Sequence, residues 1–201
     1  MLRAFIAIQL SDELRRQIGS VQEELRREVS GSGRTGRTGR IGWTNPNGIH
    51  LTLKFLGDIR ESQIQPLQGV LQRAASSAQP FALEAHGVGA FPNSRAPRVI
   101  WVGLHGSDGD MEVLRRLQVA IEDGTAELGF QKEARAFTPH LTLARIRDRL
   151  EAGALDKVLA ANQSRTVGGF TAVSVGLIKS ELRPSGALYT TLVEVPFGGG
   201  V

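Results

Sequence analysis

The sequence predicts an α+β fold: two pseudo-symmetric lobes with mainly antiparallel sheets around a central cleft, and helices on the outer faces. Three observations carry that expectation. Alternating apolar segments come in hairpin-like pairs rather than as single strands each followed by a helix. Helical periodicity appears between those pairs. And one tetrapeptide, His-Leu-Thr-Leu, occurs at 50–53 and again at 140–143, about half the chain further on, as a duplication would leave it. With 201 residues, 41% of them hydrophobic, the chain can bury a core of its own and reads as a single bilobal domain spanning 1–201.

The elements follow in order. Residues 3–10 (RAFIAIQL) read as a strand. Ser11 then offers a helix N-cap with Asp12 and Glu13 in the first turn, and Leu14, Ile18, Val21 and Leu25 recur at helical spacing, so 12–29 reads as an amphipathic helix. The stretch 30–40 (SGSGRTGRTGR) is Gly-rich and basic, too polar to order itself, and reads as a flexible loop. It is either a tolerated surface insertion or a segment that sweeps over a nucleic-acid ligand. A short strand at 41–43, a turn at 45–48 (NPNG) and a strand at 49–56 (IHLTLKFL) come next. A helix is expected over 61–77 through Ile64, Leu67, Val70 and Leu71, then strands at 81–90 and 98–105 joined by a Pro/Asn/Ser loop. The second half repeats the design: a helix over about 109–128, a strand at 140–146, a short helix at 151–161, and strands at 169–180 and 187–195 joined by a turn at 183–186.

Composition excludes several chemistries. Without cysteine there is no disulfide framework, no zinc ribbon, no iron–sulfur cluster and no thiol nucleophile. No G-x-G-x-x-G follows a strand and no P-loop is present, so nothing points to a dinucleotide or nucleoside triphosphate site. Apolar runs fall short of the roughly 18 residues a membrane span needs, and the N-terminus lacks a long apolar core with a small-residue cleavage site. A cytoplasmic location is expected. The net charge of +4 is modest, but only four basic residues are lysines, the rest arginines. Arginine's planar fork suits phosphate, so a polyanionic substrate is allowed; codon bias gives the same composition.

The repeated tetrapeptide has a chemical meaning. On a strand, residues i and i+2 share a face, so His50 with Thr52, and His140 with Thr142, point one way while the leucines point into a core. If the lobes pack about a pseudo-two-fold axis, the two faces can meet in one groove. An imidazole with an ordinary pKa of about 6.5 can be neutral or protonated at working pH, and one of each makes a general base and a general acid. Threonine hydroxyls can donate to the non-bridging oxygens of a phosphate. Metal-free in-line displacement at phosphorus follows from such a set. A zinc site would need a third ligand, and neither motif contains an acid. Taken singly, a strand histidine is more often a satisfied structural group; His86 and His105, with no Thr two residues on, are expected to be that.

These residues resemble the 2H phosphoesterases, and among them the RNA 2′,3′-cyclic phosphodiesterases, also called 2′-5′ RNA ligases. The resemblance runs through 3–8 (RAFIAI), 43–58 (WTNPNGIHLTLKFLGD), Phe91-Pro92 with 97–101 (PRVIW), 137–145 (FTPHLTLAR) and 180–189; the 30–40 insertion departs from it. It implies two lobes about a central cleft, no metal or other cofactor, and conversion of a 2′,3′-cyclic phosphate RNA end to a 2′-phosphate, with a weak reverse joining of RNA ends through a 2′-5′ link. It implies His50 as proton donor to the departing O3′ and His140 as the base that activates water. It implies that Arg145 contacts phosphate or base, although strict alternation puts Arg145 on the Leu141/Leu143 face unless the strand bulges. Phe5 and Trp43 are candidates for base stacking, with core packing the alternative. Alternation places Lys54 on the His50/Thr52 face, either in reach of a phosphate or free in solvent. The expected partner is an RNA end bearing the cyclic phosphate, the expected oligomeric state a monomer. Two other readings compete: a non-catalytic RNA or nucleotide binder on the same fold, and a related enzyme acting on a small cyclic nucleotide.

Overall fold

The computed structural model describes residues 1–31, 41–148, 153, 155–183 and 186–198. Its elements are β1 (Leu2–Gln9), α1 (Asp12–Gly31), β2 (Ile41–Trp43), β3 (His50–Ile59), α2 (Ile64–Ser76), β4 (Phe81–Phe91), β5 (Val99–His105), α3 (Asp108–Glu127), β6 (His140–Ile146), α4 (Asp156–Asn162), β7 (Thr166–Ala172), β8 (Ser174–Arg183) and β9 (Gly186–Pro196). Of the Gly/Arg-rich loop, residues 32–40 lie outside the described residues, as do 184–185 of the last turn.

The strands form one sheet in the order β7-β4-β5-β6-β3-β1-β8-β9, with β2 on β6. Every pairing is antiparallel. β3 and β6 meet only at Leu51 with Leu141, so the sheet divides there into two lobes whose strands diverge. One lobe holds β1, β3, β8 and β9; the other holds β2, β4, β5, β6 and β7. The lobes are therefore not the two halves of the chain. β1 and β3 from the first part of the chain and β8 and β9 from its last part build one lobe, and the sequence between β3 and β8 builds most of the other.

The helices cover one side of the curled sheet. Ser11 caps α1 by accepting from Leu14 N at 3.2 Å, as its place before Asp12 and Glu13 predicts. Leu14, Ile18 and Leu25 are almost fully buried in the core that also takes Leu67, Leu71, Leu114 and Leu117 from α2 and α3. α1 follows β1 in sequence but packs on β7 of the other lobe, while α3 touches β3, β4 and α2. Leu51 and Leu141 both face this core, each contributing about 1.5–3 kcal/mol by burial. On the opposite, concave side Phe5, Ala7 and Ile178 form a small separate group with Tyr189. Among the described residues, no helix is long and apolar enough to cross a membrane.

One expectation is corrected. The strand read at 169–180 is two strands, β7 and β8, broken at Val173 and sent to nearly opposite ends of the sheet. The run carries no Gly or Pro at the break, so its periodicity gave no stop. Of the helix read at 151–161, the described part is α4 (Asp156–Asn162); residues 151, 152 and 154 lie outside the described residues.

Candidate active site

His50 and His140 each open a strand. Because Leu51 and Leu141 pair and both enter the core, the residues on either side of each, His50/Thr52 and His140/Thr142, point together to the concave face. The antiparallel register about that pair carries His50 toward Thr142 and Thr52 toward His140. The four residues read from the motif thus share one cleft.

Each imidazole is fixed in the same way. His50 Nδ1 donates to the Gly48 carbonyl at 2.8 Å, and His140 Nδ1 donates to the Thr138 carbonyl at 2.7 Å, two residues back in both cases. A neutral ring so anchored keeps its lone pair on Nε2. The turn before His50 is built by Asn45, whose side chain accepts from Asn47 N, and by Pro46. Gln22 of α1, buried, donates to the Thr44 and Leu143 carbonyls at 2.9 and 2.8 Å, and Thr44 N reaches Leu143 O at 2.9 Å. One helical side chain therefore ties the approach to the first motif to the strand of the second. No spacing rule pointed to Gln22.

Ring contacts differ between the two sides. Phe5 stacks on His50 with centroids 4.4 Å apart, and Tyr189 meets His50 edge-on at 5.2 Å. Phe91 meets His140 edge-on at 5.0 Å and packs on Trp101, itself directly across from Thr142. Burial and the cationic Arg15 and Arg145 hold His50 well below the ordinary imidazole value, at about 4, against a raising effect of the Gly48 bond. Arg15 comes from α1, where its guanidinium donates to Gln9, the residue opposite His50, at 2.7 Å. It too was invisible to the motif reading.

Beyond the tetrapeptides the two strands go on matching. Residues 50–56 and 140–146 alternate between buried and open positions in the same pattern. Each carries a bulge at its second leucine. Ala7 and Ile6 face Thr52 and Lys54, leaving Leu53 without a partner; Trp101 and Ile100 face Thr142 and Ala144, leaving Leu143 without one. A bulge reverses the alternation after it. Arg145 is thereby returned to the cleft face, exposed and opposite Val99, and its charge is felt at His50. Lys54 is turned the other way. It lies in the core side of the sheet at 4% exposure, its Nζ donating to Glu122 Oε2 and to the Gln131 carbonyl, both at 2.6 Å. The expectation that Lys54 faces a phosphate is corrected by that bulge.

The aromatic candidates separate too. Phe5 lies on the cleft face but is only 4% exposed and spends its face on His50, leaving none for a base. Trp43 sits opposite the core-facing Ala144 and beneath Arg26 of α1, whose guanidinium is 5.3 Å from the ring, so it packs on the helical side. His86 and His105 meet edge-on with ring centroids 5.6 Å apart, and Gly103 of β5 stands between His86 and His140 in the sheet. No group of three or more metal-ligating side chains occurs among the described residues.

Known proteins resemble this chain in sequence and in fold. The family described as LigT-like phosphoesterase matches residues 8–101 and 107–189. An RNA 2′,3′-cyclic phosphodiesterase of Methanothermobacter thermautotrophicus is 29% identical over 191 residues, covering 95% of this chain and 96% of its own length. One of Aeropyrum pernix is 37% identical over 147 residues, 73% of this chain and 81% of its own. The crystal structure of TT0787 of Thermus thermophilus superposes with a TM-score of 0.71 at 26% identity, over 98% of each chain.

Proposed function

The chain belongs to the LigT-like phosphoesterase family, and on that premise we propose the following account of its chemistry. It is an RNA 2′,3′-cyclic phosphodiesterase that opens the cyclic phosphate at an RNA end to a 2′-phosphate, using two histidines and no metal. One observation carries the reading: two His-Thr pairs, anchored alike through Nδ1, open onto one cleft across the Leu51–Leu141 pair. The phosphate sits between them with its non-bridging oxygens toward Thr52 and Thr142. His140 Nε2 takes a proton from water as the water oxygen bonds to phosphorus. The P–O3′ bond breaks, and His50 Nε2–H supplies the proton to O3′. Arg145 holds the anionic substrate. With a ribose 5′-hydroxyl in place of water, the same exchange joins two RNA ends through a 2′-5′ link.

His50 is neutral at pH 7 in the free protein, because its pKa lies at about 4. The donor's part assigned to it by resemblance then requires that it take up its proton with substrate, whose negative charge offsets Arg15 and Arg145. A ligand-binding module without catalysis has no use for two Nε2 atoms aimed at one site, one free to take a proton and the other to give one.

The test is an RNA ending in a 2′,3′-cyclic phosphate, incubated with purified protein in excess EDTA. A 2′-phosphate product is expected, with turnover reduced at least ~100-fold in His50→Ala and in His140→Ala. Loss of turnover in EDTA, or undiminished turnover in either variant, rejects the mechanism. Turnover confined to mononucleotides moves the assignment to a small cyclic nucleotide.

A further inference from the structure

Along one edge, β6 changes neighbours. It pairs with β3 at Leu141 and with β2 from Ala144 to Ile146. Thr142 and Leu143 fall in the gap between those ladders, and Leu143 is also the residue that the bulge leaves without a partner on β5. Its carbonyl is nevertheless satisfied twice, by Thr44 N at 2.9 Å and by Gln22 Nε2 at 2.8 Å. The second hydrogen of the same amide goes to the Thr44 carbonyl at 2.9 Å. Gln22 is 2% exposed and reaches this point from α1, so both its donors are spent where the ladders leave a gap.

These two bonds flank Arg145. Leu143 stands two residues before it on β6. Thr44 stands two residues after Gly42, which lies directly across from Arg145 on β2. The bulge is what turns Arg145 to the cleft: Leu143 and Ala144 are buried in succession, and alternation resumes one residue late. A buried carbonyl stripped of its donor is costly, and the backbone twists to find another. A twist at Leu143 carries the bulge, and the direction of Arg145, with it.

Resting on the reading of the site given above, we propose that Gln22 is a positioning residue: its amide holds the Leu143 bulge and the end of β2, and so keeps Arg145 aimed at the anionic substrate. It touches no substrate, and acts through two backbone carbonyls from the helical side of the sheet.

The experiment is a double-mutant cycle on an RNA ending in a 2′,3′-cyclic phosphate, with Gln22→Met, Arg145→Gln and the pair. Gln22→Met keeps the length and loses both donors, and is expected to lower kcat/KM about tenfold. In the Arg145→Gln background the same change should cost less than about twofold, because the side chain it positions is gone. An unaltered kcat/KM, or an equal loss in both backgrounds, overturns the proposal. Leu117→Ala, in the core on α3, serves as the control for lost stability. It should lower the melting temperature at least as far while holding kcat/KM, and an equal loss of activity there overturns the proposal too. Should Gln22→Met not fold, Gln22→His keeps one N–H donor and should show a smaller loss with the same dependence on Arg145. The His50 Cε1 proton reads the same arrangement by NMR without turnover. Gln22→Met should move the His50 midpoint upward, as Arg145→Gln does, and the pair should move it no further than Arg145→Gln alone. A midpoint that Gln22→Met leaves in place overturns the positioning role. A wild-type protein that shows the shift on substitution but never turns over the RNA overturns the catalytic reading and keeps Gln22 as the holder of Arg145.

Discussion

The two sides of the cleft begin from one tetrapeptide and end in different surroundings. His50 and His140 have the same anchor, the same neighbouring threonine, the same core leucines and the same bulge behind them. Yet His50 lies between Phe5 and Tyr189 with Arg15 and Arg145 nearby, while His140 has the edge of Phe91. The repeated peptide sets where each Nε2 points. What packs around it is drawn from β1, α1 and β9 on one side and from β4 and β5 on the other, and at His50 that burial is the largest cause of a pKa held well below the ordinary imidazole value. On the mechanism proposed above, the two matched strands become an acid–base pair only through the parts of the lobes that do not match.

The sharpest break between the sides is expected at position 54. Its counterpart is Ala144, which simply packs. Lys54 joins Glu122 of α3 and the Gln131 carbonyl, pinning the segment that leads to His140 against β3. Removing the ammonium leaves a buried carboxylate without its cation. Lys54→Ala should cost about 3–5 kcal/mol in urea unfolding, and Lys54→Met with Glu122→Leu should recover most of that. A Lys54→Ala protein as stable as wild type would show that the pair does not hold the lobes' backs together.

A smaller effect is expected at the hydroxyls. Thr52→Val and Thr142→Val each remove one donor to the phosphate and should each lower kcat by a factor of about ten to a hundred, less than a full oxyanion-hole donor. Equal losses mean that the phosphate lies on the pseudo-two-fold axis. Unequal losses place it toward the lobe whose threonine matters more, and no loss in either removes the hydroxyls from the mechanism.

The sequence disclosed the first four residues of each motif fully, because alternation depends only on local backbone geometry. It lost the next two. Whether Leu53 and Leu143 bulge is decided by how residues 5–7 and 100–101 pair with them, and those partners are far away in the chain. So Lys54 was placed in the cleft and Arg145 held out of it by the same rule, and the same device corrects both. Gln22 and Arg15 were hidden for a related reason. They are polar residues on a helix whose place against the other lobe is a matter of topology, not of pattern. The break at Val173 escaped because the chain changes strands there without any turn residue.

The last prediction concerns protonation alone. His50 titrates at about 4 in the folded protein, below the ordinary imidazole value. The unfolded chain then binds the extra proton between about pH 6.5 and 4, so the fold loses stability as pH falls through that window and regains it as pH rises. Burial is the largest cause and the two arginines are lesser ones. Arg145→Gln should therefore raise the His50 midpoint by a fraction of a pH unit and leave it below 6.5, read from its Cε1 proton by NMR. Arg15→Gln should act in the same direction. A midpoint that returns to the ordinary value in either variant would make charge, not burial, the dominant cause. A midpoint that does not move would place Arg145 too far from His50 to share a phosphate with it. Phosphate bound in the wild-type cleft should move the midpoint upward further than either substitution does, since it adds a negative charge beside the ring rather than removing a more distant positive one.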